Sequence, residues 1–425
     1  MDANILAERL RNTHLSIRPG EKEQLLFKPR ADAELTRDVL CNIPRYLFRI
    51  VSPLSGGETD GIWMRSEAAS RNMKSSREDI FFGLNFEKRE TIARTINVHL
   101  RWRLTDDFEG NFVSWSSSLL YVLQFIYYRH LNRRDRSSLE EIKLYVIDTE
   151  EFPPGTFIRD LDLINAFYKF DDHHPRDLRD FRSLRENTGY YFGEYLSQGS
   201  LKIEGKYQMI SAKSLFDANR LCRLQPEFGD IYSLLAEKKE PKWAKEVRRL
   251  RGIVWSAAKS VPLPSQEMLD RMEAISEIIE NFDPGWRFPM AIYFAALIGP
   301  EPETEEQGSA PDNVFYACFR SKFAEEQRYY GSPKFRVIAP NTMPELKRVS
   351  EICKYFQLRE ALEFAKKAEA SLRRLRMKNG SFLQVADSNE TLTGARRTLL
   401  LTLNKTQKLC EQVSQAISPS SAKKT

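Results

Sequence analysis

Runs that read as β-strands are confined to the first half of this chain, and that asymmetry limits the folds open to it more than any other feature. Residues 45–51 are dense in aromatic and β-branched side chains and stop at Ser52-Pro53. Residues 142–147 alternate ahead of a Pro153-Pro154-Gly155 turn, and Leu201 and Ile203 alternate with Lys202 and Glu204 ahead of Gly205. Beyond Asp217 the strand signals fade. Helical patterns follow at 241–260, 266–281, 286–298 and 312–323, then two long ones at 345–378 and 391–417. Leu346, Val349, Cys353 and Phe356 form a stripe on the first long helix, which stops at Asn379-Gly380, and the two suit an antiparallel hairpin. The expected fold class is therefore α+β with an all-helical C-terminal region. The expected domains are a helical lead-in at 1–43, a mixed domain at 44–215, a helical region at 216–416 and a disordered tail at 417–425. In the lead-in, residues 3–11 and 33–40 read as short amphipathic helices.

Composition narrows the class. The net charge of +6 is a small surplus that permits an acidic partner without demanding one. Five cysteines, odd in number and far apart, read as reduced thiols of an intracellular protein that is not secreted. No apolar leader is read at the N-terminus, and the longest apolar run, 288–298, is shorter than the ~20 residues a bilayer needs. A soluble protein with no membrane partner is expected.

Three stretches stand out. Arg49 sits inside the apolar 45–51 run. Ser114, Ser116, Ser117 and Ser118 open the helical pattern of Leu119, Val122, Leu123 and Ile126, where serine is a common cap. Glu194 stands among Tyr190, Tyr191, Phe192 and Tyr195, ahead of the 201–204 strand. An arginine grips phosphate through a fork of donors, hydroxyls hold a ribose or brace a carboxylate, and a carboxylate steadies an oxocarbenium-like transition state. Together they suit cleavage of a glycosidic bond to a charged leaving group. Each has a plainer alternative: Arg49 pairs with Asp60 or Asp148, the serines only cap a helix, and Glu194 is a solvated edge residue. No dinucleotide-binding glycine fingerprint, Walker A loop, serine-nucleophile elbow or zinc-spaced set occurs. His173-His174 are adjacent, so they do not readily face one metal, and no metal is expected.

The order and flanks of these stretches resemble the ADP-ribosyltransferase superfamily of the arginine–serine–glutamate type. Arg49 in Tyr-Leu-Phe-Arg-Ile-Val is similar to its first-strand arginine. Ser116-Ser117-Ser118-Leu119 is similar to its Ser-Thr-Ser-Leu junction, with Ser117 in the threonine place. Glu194-Tyr195-Leu196 resembles the Glu-Tyr-Ile segment of its poly-ADP-ribosylating branch. The 44–215 block also resembles an uncharacterised domain common in filamentous fungal proteins, marked by Leu-Phe-Arg, Trp-Ser-Ser-Ser-Leu-Leu and Gly-Glu-Tyr-Leu. The first resemblance implies a split β-sheet, NAD as substrate, and ADP-ribosyl transfer to an unknown protein acceptor or NAD glycohydrolysis. It implies that Glu194 is catalytic, that Arg49 binds NAD, and that Ser116 and Ser118 order the site. Trp115, Tyr191 and Tyr195 would then wall the pocket or stack on nicotinamide. Phe192, two before Glu194, departs from the Glu of arginine-modifying members and speaks against an arginine target.

A non-catalytic binding module is the competing class. Residues 238–251 are basic with Trp243 interleaved, and Arg373, Arg374, Arg376 and Lys378 form a second basic cluster. Such faces grip phosphates of nucleic acid or an acidic protein, although a charge run is more often a solvated helix face.

Overall fold

A computed structural model describes residues 24–29, 35–36, 38–102, 110–172, 176–187, 189–237, 243–255, 263–300, 314–331, 333, 335–338, 343–378 and 390–417. The expectations for 3–11, His173-His174, Asn379-Gly380 and the 418–425 tail lie outside them, as do 33, 34 and 37 of the helix read at 33–40, whose described part is helical at Asp38–Cys41.

Nine strands occur among the described residues: β1 (Tyr46–Val51), β2 (Glu58–Thr59), β3 (Trp63–Arg65), β4 (Phe112–Ser116), β5 (Lys143–Asp148), β6 (Ile158–Arg159), β7 (Glu194–Gln198), β8 (Ser200–Lys202) and β9 (Tyr207–Ser211). Six make an antiparallel sheet in the order β6-β7-β4-β1-β5-β9, and β2-β3-β8 make a second. The chain changes sheets between β7 and β8 at Gly199, whose φ of +64° suits glycine and whose amide donates to the carbonyl of Asn111.

Strand burial on both faces explains the dense run at β1. Phe48 and Ile50 join a core shared with helices, whereas Leu47 joins Val113, Trp115, Tyr195, Met64 and Leu201 in the core between the two sheets. A third core gathers Phe112 and Leu196 with helices α1 (Phe86–Leu100), α3 (Asp160–Phe167) and α4 (Leu178–Asn187). Helix α2 (Leu119–Leu131) follows β4 directly and packs with the helical half.

That half comprises α5 (Trp243–Val254), α6 (Ser265–Ile279), α7 (Pro284–Ala296), α8 (Val314–Lys322), α9 (Ala324–Tyr330), α10 (Pro344–Lys378) and α11 (Glu390–Ile417), with shorter helical turns between 212 and 236. The apolar run seen at 288–298 is α7, buried along most of its length. Tyr46 of β1 meets Trp286 and Tyr293 of α7 edge-on, at 5.8 and 6.1 Å between ring centres. Sheet and helices thus share one core. The chain divides into two compact units, Met1–Leu358 and Arg359–Thr425. Leu346, Val349, Cys353 and Phe356 of α10 are buried in the first. In the second, Leu362, Phe364, Leu400, Leu401 and Leu409 are exposed. The architecture is α+β, an antiparallel-sheet region followed by a mostly helical one, and no described helix is long and apolar enough to cross a membrane.

Candidate functional site

The site forms where β1 and β4 part. Their ladder keeps a single register pair, Phe48 opposite Ser116, whereas β1 and β5 stay paired from Tyr46 to Val51. At the parting, Arg49 Nη1 donates to the carbonyl of Ser114 at 2.8 Å. Both carboxylates considered for Arg49 are otherwise engaged. Asp60 accepts from Arg65 at 2.7 Å, and Asp148 accepts from Arg45 at 2.9 Å. Among the described residues no carboxylate lies within ion-pair distance of Arg49, and its buried Nε has no acceptor. Burial first, then the charge of Arg129, pushes its pKa down to about 10, which leaves it cationic near neutrality.

Glu194 opens β7 opposite Ser116 and is 5% exposed, so it is no solvated edge residue. Ser114 Oγ donates to its Oε1 at 2.8 Å, and Arg185 Nη2 of α4 donates to its Oε2 at 2.5 Å. Since Ser114 gives its proton to Glu194, the contact of 2.8 Å between His99 Nε2 and Ser114 Oγ requires His99 to offer Nε2–H. Burial, with Arg49 adding to it, pushes the His99 pKa down to about 3, so the ring is neutral. Arg185 Nε also lies 3.4 Å from Asp160 Oδ2, and burial holds the Asp160 carboxyl above its usual range despite that guanidinium.

Arg49, His99, Ser114, Ser116, Arg129 and Glu194 line one cavity of about 300 Å³. A second, of about 430 Å³, reaches Glu194 from another side and shares Trp102 and Tyr121 with the first. Trp115 borders the first cavity, but its ring is packed on Phe157 in the inter-sheet core and its Nε1 donates to Ser197. Tyr195 shares that core. With Glu194 turned to the cavity, its strand neighbour must point to the opposite face. Tyr191 is buried beside Asp160 and lines neither cavity.

The serines divide their work. Ser116 Oγ donates to the carbonyl of Phe192 at 2.7 Å, tying β4 to the segment that leads to Glu194. Ser118 caps α2 by accepting from the amide of Tyr121 at 3.2 Å, and it donates to Glu345 Oε1 of α10 at 2.6 Å rather than lining the cavity. Glu345 in turn binds Arg251 of α5 through two bonds, and Arg251 Nη1 donates to the carbonyl of Tyr191 at 2.7 Å. Phe192 stacks on Tyr121 at 4.8 Å, with Arg185 and Arg251 over its ring. Within the described part of the basic stretch that ends in α5, Arg249 pairs with Glu246, Arg248 lies over Tyr190, and Arg251 is held as above. Residues 238–242 lie outside the described residues.

Gly193 sets the approach to Glu194. Its φ is +64°, and a Cβ there would meet Ser117 Oγ at 2.1 Å. Gly193→Ala is expected to cost about 1–3 kcal/mol, read as a lower urea midpoint.

Sequence reasoning missed His99, Arg185, Asp160 and Glu345, and it read Ser114 only as part of the hydroxyl cluster and Arg251 only as part of a basic stretch. Only Ser114 had a local signal, since it shares a strand face with Ser116 while Val113 and Trp115 point the other way. Among the described residues no cluster of metal-binding side chains occurs.

One family model, a domain of unknown function (DUF7587), matches residues 42–204. That span falls on the sheet region read as an uncharacterised domain. No curated protein and no solved structure matches the chain.

Proposed function

We propose that the cavity between β1 and β4 binds NAD and that the protein breaks its nicotinamide–ribose bond, passing ADP-ribose to a protein acceptor or to water. One observation carries this reading: Arg49, Ser114, Ser116 and Glu194, distant in the chain, line the same cavity. Arg49 is a cation without a carboxylate partner among the described residues, which suits a phosphate. Ser114 and neutral His99 orient Glu194, and Ser116 holds the segment before it. Glu194 steadies the positive charge that grows on the ribosyl carbon as nicotinamide leaves. The parting of β1 from β4 agrees with the split sheet that the ADP-ribosyltransferase resemblance implies.

Nicotinamide release from NAD by the full chain tests this. Glu194→Gln is expected to lower release by about 10²–10³-fold with the fold intact by circular dichroism. No release and no NAD binding at millimolar concentration overturns the reading.

A second reading, a binding module without chemistry, is favoured by the contact of Arg185 with Glu194 Oε2, which gives the carboxylate a structural partner. It predicts that a ligand is bound and not consumed, and that Glu194→Gln lowers stability instead. If nucleic acid is that ligand, affinity falls steeply with salt.

A further inference from the structure

The cavity on the other side of Glu194 has a distinct chemistry. Its walls are aromatic: Trp102, Tyr121, Phe181, Tyr190, Phe192 and Trp243. Its charged lining is Arg101, Arg176 and Arg185 against the single carboxylate of Glu194. Arg185 already serves Glu194 and Asp160, while among the described residues no carboxylate lies within ion-pair distance of Arg176, which is exposed. Trp102 adds an independent observation. This bulky residue takes a φ of +54°, in the left-handed region that large side chains rarely adopt, while the residue stays 39% exposed. Strain of that kind gathers at ligand clamps. The ring is held by stacking on Trp243 at 5.1 Å and 18°, which places both indoles at the cavity wall.

We propose that this second cavity is a separate site for a nucleobase with its phosphate. A flat ring packs against the indole and phenol walls, and the guanidiniums take the anion. A cationic ligand, such as an arginine side chain, meets like charge instead. The volume of about 430 Å³ falls within the range of small-molecule sites and exceeds what a bare anion fills. Two sources share this chemistry, a free nucleotide and the 5′-phosphorylated end of a strand. The proposal goes beyond NAD cleavage and does not depend on it.

Calorimetry and tryptophan fluorescence on the full chain test it with three probes: UMP, uridine and a short 5′-phosphorylated oligonucleotide. UMP is expected to bind saturably and to quench indole emission. Uridine, lacking the anion, is expected to bind about tenfold more weakly or worse. Arg176→Glu, at an exposed position that leaves the core untouched, is expected to weaken UMP by about tenfold, and Trp243→Ala by a similar factor. An oligonucleotide bound more tightly than UMP assigns the strand end, and equal binding assigns the free nucleotide; either supports the site. Absence of saturable UMP binding at millimolar concentration overturns it. So does UMP affinity unchanged in Arg176→Glu, or UMP that competes directly with NAD. Where NAD itself does not bind, UMP binding still stands or falls by these outcomes.

Discussion

Replacing Arg185 with methionine is expected to destabilise the protein by about 3–5 kcal/mol, the usual cost of stripping one partner from a buried charged cluster. The guanidinium stands between Glu194 and Asp160, and all three side chains are buried. Its loss leaves two carboxylates in a low-dielectric site with only neutral donors, Ser114 on Glu194 and the amide of Leu161 on Asp160. The pH dependence gives the mechanism away. Asp160 is already held above its usual range, so the native state keeps a proton that the unfolded chain releases near pH 4. That difference makes stability fall as pH rises from about 4 toward the raised native value. In Arg185→Met the Asp160 carboxyl loses the guanidinium that opposes its rise, so the deficit relative to the parent is expected to shrink as pH drops toward 4. Urea unfolding at pH 4.5 and pH 7.5 checks it. A deficit that is equal at both values would mean that lost packing, rather than unpaired charge, is the cause.

Glu345→Ala is the second large effect, again about 3–5 kcal/mol. It leaves the largely buried Arg251 guanidinium without its carboxylate and removes the acceptor of Ser118 Oγ. Glu345→Leu combined with Arg251→Met is expected to recover much of the loss, because an apolar pair of similar size carries no uncompensated charge. A double-mutant cycle on unfolding free energies reads the coupling, and additivity within ~0.5 kcal/mol would overturn the pairing.

Much of this fold is legible in the sequence, because its helices are long and periodic and its main strands are dense. Residues 45–51 and 142–147 became β1 and β5, and the stripe Leu346, Val349, Cys353 and Phe356 became the buried face of α10. Where both faces of a strand are covered, the two-residue alternation disappears. β7, buried at every position, reads as an aromatic segment rather than as a strand that begins at Glu194 itself. Two-residue β2 and β6 are too short to leave a pattern. The site was half readable. Arg49 and Glu194 are conspicuous polar residues in apolar runs, and Ser116 follows from the hydroxyl cluster. Tyr195 and Trp115 illustrate a rule that parity alone supplies: neighbours of inward-facing strand residues face away. Arg185, Asp160 and His99 leave no trace, since they arrive from separate helices and are ordinary charged or polar residues in their own segments.

The bridge from Ser118 through Glu345 to Arg251 and the carbonyl of Tyr191 has a consequence for inheritance. Residues 42–204 carry Arg49, Ser114 and Glu194, yet two of the side chains that hold their scaffold stand outside that span, in α5 and α10. The matched stretch is therefore not a self-sufficient cassette. A protein that keeps it while exchanging the helices around it must place another acceptor opposite Ser118 and another donor over Tyr191, or give up both groups. Ser118, Arg251 and Glu345 are accordingly expected to be gained and lost together, as one inherited set spread across the chain.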